Sequence, residues 1–214
     1  MSFALNEVEA TAKKATRGAG YTWGMAEEAA KATRWLCANG IDGSKALATV
    51  LAQADGVELG KMAPSDLSDD WTAEADAMCP LMAGAALSDF AGIGAACEVN
   101  IVDVVAPVML LPFAAMAARQ LGQAVMVEWD GVGAVTNGSV LSLEGANGAL
   151  FINTAARVTI RAGARTGQPM PQQTRATPDD ADWATLNKFA QCTYAPATEE
   201  SRLKGAGAGL SDND

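Results

Sequence analysis

The chain has 214 residues, half of them hydrophobic, and a formal charge of −10 with no histidine. This length suits one globular domain, and the charge argues against nucleic acid or an anionic membrane as a partner. Without histidine, nucleophile activation by an imidazole and histidine-ligated metal sites are excluded. The four cysteines are far apart with no Cys-x-x-Cys pair, so we expect neither a metal nor another cofactor.

Residues 1–97 are predicted to form a helical subdomain, because apolar side chains recur there at helical spacing between glycine stops. Asn6 and Ser44 are the predicted caps of the first and third helices. The acidic stretch 57–79 is expected to be a surface connection with at most one short helix over 72–77. The four longer predicted helices span residues 6–17, 25–38, 44–55 and 80–90.

Residues 98–162 are predicted to form a mixed sheet region, because β-branched and apolar runs replace the helical spacing. Strands are expected over 99–105, 108–111, 125–129 and 157–161, with a short helix over 112–121. A loop over 163–178, a C-terminal helical segment over 179–204 and a flexible tail over 205–214 complete the prediction. Asp179 or Asp180 is the expected cap of the last helix. The predicted fold class is therefore α+β.

Two Asn-Gly pairs predict an antiparallel meander between 131 and 152, since Asn-Gly favours two-residue hairpin turns. A turn at 137–138 pairs Ala134 with Leu141 and Val132 with Leu143. A second turn at 147–148 pairs Leu143 with Ile152. Both registers place the apolar side chains on one face of the sheet, and a slip of one residue would scatter them.

Two groups of charged residues are candidate ligand-binding sites. Arg157 and Arg161 should point to one side of a strand, where two guanidinium groups can hold a carboxylate or a phosphate. Glu128 and Asp130 flank Trp129 and suit acid–base work or a hard cation. The alternatives are an ordinary solvated strand face for the arginines and a polar strand edge for the carboxylates. No residue is assigned a catalytic role.

Three further features are weaker candidates. Asp103 interrupts an apolar run, so it is either a carboxylate with a perturbed pKa or a strand boundary. Cys79 is the cysteine to test for reactivity, although a buried structural thiol is the default. The terminal Ser211-Asp212-Asn213-Asp214 has oxygen ligands in sequence, but a frayed end explains it more simply.

Motifs near both ends of the chain resemble an uncharacterised bacterial family that is catalogued as domain of unknown function 3726. They include Arg17-Gly18-Ala19-Gly20, Trp23-Gly24-Met25-Ala26 and Tyr194-Ala195-Pro196-Ala197. The resemblance extends over the whole chain and implies no activity.

Residues 5–50, with Gly40-Ile41-Asp42-Gly43-Ser44, are also similar to the helical start of the non-Rossmann malate/L-lactate dehydrogenase family. Those enzymes have Ser-His-Gly at this place, and the histidine is catalytic. Here Lys45 follows Ser44 and the chain has no histidine. This second resemblance therefore implies that the catalytic apparatus is absent.

The sequence leaves two hypotheses for function. The first is a cytoplasmic, non-catalytic binding or accessory protein, acting as a homo-oligomer or as the companion of a metabolic enzyme. The second is a histidine-free enzyme acting on a carboxylated or phosphorylated metabolite, with Arg157 and Arg161 holding a small anionic ligand. Convergence of the candidate carboxylates and arginines in one pocket would favour the second hypothesis.

Overall fold

The computed structural model describes residues 1–68, 70–92, 98–145, 147–163 and 168–194. Its architecture is α+β, as predicted, with helices before the main sheet and a helix after it. The described helices are α1 (Leu5–Gly18), α2 (Trp23–Ala38), α3 (Gly43–Ala54), α4 (Pro80–Gly92), α5 (Leu111–Leu121), α6 (Asn147–Leu150) and α7 (Asp180–Gln191). The strands are β1 (Phe3–Ala4), β2 (Val99–Val105), β3 (Val125–Trp129), β4 (Val132–Thr136), β5 (Leu141–Glu144), β6 (Thr154–Ala162) and β7 (Arg175–Ala176).

The helices pack in layers over one face of the sheet. α5 lies against β3 and β4, and α4 lies against α5 and β2. α2 and α3 follow, and α1 packs between α2 and α7. The apolar stripe of α1, with Val8, Ala12 and Ala15, is fully buried, as its helical spacing predicts.

The helix caps differ from the prediction at two of three places. α1 begins after Ala4, which makes no side-chain capping bond. α3 is capped by Asp42, whose side chain accepts a hydrogen bond from the Lys45 N–H, rather than by Ser44. Asp179 caps α7 as expected. The shift at α3 buries the Ser44 side chain instead of leaving it at the helix end.

The main sheet has the strand order β2-β6-β3-β4-β5, and every neighbouring pair of strands is antiparallel. β6 lies between β2 and β3, and β3, β4 and β5 form an antiparallel meander that shares only its β4–β5 hairpin with the predicted one. The second predicted hairpin is wrong, because Asn147 begins α6 and β6 does not pair with β5. Inward side chains such as Val127, Val158 and Ile160 are buried against the helices.

The first hairpin exists, but its register is shifted by two residues. Ala134 pairs with Leu143 rather than with Leu141. The Asn137 side chain accepts hydrogen bonds from the Ser139 and Val140 N–H groups, and this closes a four-residue loop in place of a two-residue turn. Because the shift is an even number, the apolar side chains keep their predicted face.

The segment 57–79 is a surface connection over much of its described length, as predicted, but buried side chains anchor it to the sheet. Trp71 and Met78 are buried, and both form parallel bridges to β2, with Ile101 and Val104. The Trp71 N–H donates to the Asn100 carbonyl at 2.8 Å. The helix expected over 72–77 is absent from this described stretch, and a 3-10 turn occurs at Leu59–Met62 instead. The segment therefore covers the β2 edge of the sheet.

Two other connections also differ from the prediction. Residues 108–111 are not a strand: Pro107–Leu110 is a 3-10 turn that leads into α5. In the described part of 163–178, β7 pairs with β1, and the Gln173 N–H donates to the Ala38 carbonyl at 2.7 Å. This segment ties the end of α2 to the N-terminal strand.

Some predicted segments lie outside the described residues, namely 93–97 with Cys97 and the tail after 194 with its terminal Ser-Asp-Asn-Asp. In the helices that the structure describes, we find none with the length and apolar character to cross a membrane.

Candidate functional site

Arg157 and Arg161 lie on the outer face of β6, and each is already paired with a carboxylate of this chain. Arg157 donates to both Asp70 oxygens, at 2.8 and 2.6 Å. Arg161 donates to one Glu128 oxygen through two nitrogens, at 2.8 and 3.3 Å. Hydrogen bonding to Arg157 lowers the pKa of Asp70. The two guanidinium groups flank Thr159 as predicted, but they hold ligands from the protein itself.

The candidate carboxylates are distributed along the sheet. Glu128 and Asp130 line an open cleft of about 410 Å³ at the β3–β4 turn, together with Glu144. Asp103 is an exposed residue within β2, where its backbone has a left-handed conformation with φ of 51°. Asp103 therefore lies inside a strand and not at a strand boundary. Over the described ranges, no cluster of three or more acidic or cysteine side chains is arranged to hold a metal.

A second concave site lies between the helical layer and the β1–β7 ribbon. We call it the α2–α3 pocket, because its floor is the turn that joins these two helices. Its volume is about 370 Å³. The residues around it include Cys37, Ile41, Asp42, Gln173, Arg175 and Thr177.

Glycines shape the turn that forms the floor of this pocket. Gly40 ends α2 with a left-handed backbone, φ 75°, which glycine adopts without strain. Gly43 begins α3 against the Thr33 carbonyl, and a side chain at residue 43 would collide with that oxygen. The close approach of α3 to α2 therefore requires glycine at residue 43.

Arg175 and Asp42 bring opposite charges to the pocket without neutralising each other. The Arg175 Nε donates to the Ser2 hydroxyl at 2.8 Å, and Nη2 donates to the Ser2 carbonyl at 2.7 Å. Asp42 accepts the capping bond from the Lys45 N–H at 3.0 Å. Both side chains are described, and no ion pair joins them. Each charge is held in place by the protein and still faces the cavity.

The inner wall of the pocket contains a buried thiol. Burial raises the pKa of Cys37, and the Asp42 charge raises it further, while the N–H groups of Gly43 and Ser44 act in the opposite direction. Cys37 is therefore a neutral thiol near pH 7. The Ser44 hydroxyl is fully buried and finds no partner in hydrogen-bonding geometry within the described chain. A thiol is only a weak acceptor, so the hydroxyl makes no regular hydrogen bond to Cys37. It nevertheless lies close to the Cys37 sulfur, and its proximity lowers the pKa of that thiol.

A further acidic residue lies near this pocket. The pKa of Asp182 on α7 is raised, first by burial and then by the Asp42 charge. The N-terminal end of α7 thus adds negative potential on the Asp42 side.

No pattern in the sequence indicates this pocket. Arg175 lies in a stretch that we predicted as a loop, and no pattern near it indicates a site. The turn Gly40-Ile41-Asp42-Gly43 is visible in the sequence, but Arg175 is brought to the same pocket by contacts distant in sequence, the pairing of β7 with β1 and the hydrogen bond from Gln173 to Ala38.

Cys79, the cysteine predicted for a reactivity test, lies in the core. Its side chain is fully buried, and its sulfur lies 3.4 Å from the Tyr21 hydroxyl oxygen. Burial raises the pKa of both groups. Cys79 is therefore a buried structural thiol, which is the default expectation for this residue.

Residues 3–79 match the family model described as "Protein of unknown function (DUF3726)". No curated protein and no solved structure matches the chain. The match includes α1, α2 and α3, and therefore Cys37 and Asp42, but not Arg175. The likeness to malate/L-lactate dehydrogenases stays a prediction. Over residues 3–79 the chain is thus similar to a family of proteins of unknown function, which confirms the resemblance predicted for its opening motifs.

Proposed function

We propose that this protein is a non-catalytic binding protein that holds a small polar ligand in the α2–α3 pocket. The observation that supports this proposal is the separation of Asp42 and Arg175 around one cavity. A volume of about 370 Å³ lies within the range of small-molecule sites, roughly 300–1,000 Å³. Asp42 and Arg175 are each held in place by hydrogen bonds to uncharged groups of the protein, so both charges are available to a ligand.

The chemistry of the pocket favours binding over catalysis. Its nucleophile is the Cys37 thiol, and burial raises the pKa of that thiol. A reactive cysteine needs a lowered pKa and an accessible sulfur, whereas Cys37 is only 4% exposed. The pocket residues are therefore suited to recognising a ligand.

The enzyme hypothesis remains the competing proposal, and the geometry sets one condition that its substrate must meet. A ligand of the predicted clamp must displace Asp70 from Arg157 or Glu128 from Arg161. Its acid–base groups would be Glu128, Asp130 or Asp103. An anion meets little attraction there, because each guanidinium already faces a carboxylate.

A thermal-shift screen with matched arginine variants separates the two proposals. Carboxylates, amines, amino acids and phosphate esters are screened against the wild type, since a ligand of the folded state raises the melting temperature. We expect Arg175→Gln to abolish the shift caused by the best ligand, and Arg157→Gln and Arg161→Gln to retain it. The reverse pattern would favour the clamp, and no shift with any compound contradicts the binding proposal.

A second candidate function is self-association through α2. A groove of about 280 Å³ between α2 and α5 has Trp35, Phe113 and Met116 along it. On the exposed face of α2, Glu27 and Glu28 precede Lys31 and Arg34. These side chains are paired within the chain, Glu27 with Lys13, Glu28 with Lys31 and Arg34 with Glu9. A second copy packed antiparallel on α2 would have to exchange these pairs for pairs across a two-fold interface.

Light scattering at several concentrations tests this second candidate. We expect a dimer that Lys31→Glu weakens and that the swap Glu28→Lys with Lys31→Glu restores. A wild-type chain that stays monomeric throughout would contradict it. Companionship with a metabolic enzyme and a cytoplasmic location remain predictions; the free thiols of Cys37, Cys79 and Cys192 support a reducing compartment.

A further inference from the structure

We infer that the ligand of the α2–α3 pocket is a small zwitterion, of the amino acid class, with its carboxylate on Arg175 and its protonated amine on Asp42. This inference rests on the proposed function and names the chemistry of the same site. It starts from the two charges that line the pocket and from the way each is held.

Arg175 is prepared to receive a carboxylate. Two of its nitrogens, Nε and Nη2, are bonded to Ser2. This fixes the plane of the guanidinium group, and Nη1 has no partner within the part of the chain that the structure describes. A guanidinium whose orientation is already fixed loses little freedom when it binds an anion. Arg175 is therefore better prepared to bind than Arg157 or Arg161, whose guanidinium groups face carboxylates of the protein.

Asp42 supplies the opposite charge at the floor of the pocket. One of its oxygens accepts the capping bond from Lys45 at the start of α3. A helix N-terminus is a favourable place for negative charge, and the cap keeps the carboxylate from moving to Arg175. The second oxygen can accept from an ammonium group.

The remaining surface of the pocket suits a short carbon skeleton. Ile41, Cys37 and Ala176 contribute apolar surface, and Gln173 and Thr177 contribute an amide and a hydroxyl. The volume of about 370 Å³ limits the ligand to a small molecule. An amino acid with an aliphatic or small polar side chain fits this description.

The other ligand classes each leave one charge unsatisfied. A plain carboxylate or phosphate would bind Arg175 but would bring its charge near Asp42, in a protein of net charge −10. A plain amine would bind Asp42 but would meet Arg175. A zwitterion satisfies both groups and keeps the site neutral, which favours it over either ion alone.

Isothermal titration with matched probes tests this inference. The probes are the individual amino acids, then the best one compared with its des-amino acid and with its decarboxylated amine. We expect each of the two analogues to bind at least about tenfold more weakly, the loss typical of one charged hydrogen bond. The variant Asp42→Asn should lose the preference for the amino acid over the des-amino acid. Asparagine caps helices as well as aspartate does, so α3 should be preserved.

The outcomes separate this inference from the proposed function. If the des-amino acid binds as well as the amino acid, and Asp42→Asn changes neither affinity, the zwitterion inference is wrong while the pocket remains a binding site. If no probe of any class binds, the proposed function itself is wrong. Arg157→Gln is the matched control, and it should leave the affinity for the best amino acid unchanged within error.

Discussion

The outer face of the sheet and the α2–α3 pocket use the same chemical groups in opposite ways. On the sheet, Arg157 and Arg161 are each paired with a carboxylate from a neighbouring segment. In the pocket, Arg175 and Asp42 are each held by uncharged groups and face a common cavity. The same residue types thus cross-link a surface in one place and remain available to a ligand in the other.

The difference shows why a pair of arginines on a strand is a weak indicator of a binding site. Arginines on a solvated strand face pair with carboxylates from flanking loops, as Arg157 does with Asp70. A site requires concavity and an anchor that orients the charge without neutralising it. In this chain the anchors are the Ser2 backbone and hydroxyl and the first turn of α3.

The largest expected effect concerns the floor of the pocket. In Gly43→Ala, the added methyl group collides with the Thr33 carbonyl. We expect a loss of about 1–3 kcal/mol in the free energy of unfolding, the usual range for overpacking, measured by urea denaturation. Gly24→Ala on α2 is the control, since nothing lies within 4 Å of its added methyl group. It should be neutral or stabilising by up to about 1 kcal/mol. Equal effects of the two changes would contradict the close approach of α3 to α2.

Thiol labelling compares the pocket with the core and the surface. In a Cys97→Ser background, we expect Cys192 to react first, because it is exposed, and Cys37 at least about tenfold more slowly, because its buried thiol has a raised pKa. Cys79 should react only on unfolding. Ligand bound in the pocket should slow the labelling of Cys37 and leave Cys192 unchanged. Mass spectrometry of timed samples measures this, and rapid labelling of Cys79 would show that the core packing is wrong.

The pH dependence of stability tests the partly buried environment of Asp182 near the pocket. The pKa of Asp182 is raised in the folded state, chiefly by burial. The folded protein therefore holds this proton more tightly than the unfolded chain, and stability falls as pH rises from the ordinary aspartate pKa, about 4, through the raised value. We expect Asp182→Asn to raise the melting temperature near pH 7 by about 1–2 °C, with the gain disappearing toward pH 4. A gain that persists at pH 4 would contradict this cause.

The smallest effect is expected on the sheet face. Arg157→Gln removes the pair with Asp70, in which both side chains are substantially exposed. Such pairs contribute little to stability, so we expect the melting temperature at neutral pH to change by no more than about 2 °C. The lowered pKa of Asp70 should return toward its ordinary value, which NMR titration of the carboxylate would detect. A large loss of stability would mean that the pair is a structural anchor for the 57–79 segment.

The sequence predicted what depends on local pattern. The apolar face of the first hairpin is correct because side chains alternate with period two, and an even shift in register preserves that alternation. The register itself was wrong because the Asn137 side chain bonds to two backbone N–H groups and lengthens the turn. The helical segments before residue 92 were found because their apolar residues recur at helical spacing.

Features that depend on distant contacts were missed. Trp71 and Met78 lie in an acidic stretch, and their burial follows from pairing with β2, some thirty residues later in the chain. Asp70 and Arg157 are 87 residues apart, so no local pattern in the sequence could show that Arg157 is already paired with a carboxylate. The α2–α3 pocket is missed for the same reason, because Arg175 and Asp42 come to one pocket through the β1–β7 pairing and the hydrogen bond from Gln173 to Ala38.

A crystal structure of the protein with its tightest-binding small molecule tests the central claim most directly. We predict electron density in the α2–α3 pocket, with the ligand carboxylate on Arg175 and its amine on Asp42, and with the pairs of Arg157 and Arg161 unchanged. Density between Arg157 and Arg161, with Asp70 or Glu128 displaced and the α2–α3 pocket empty, would contradict it.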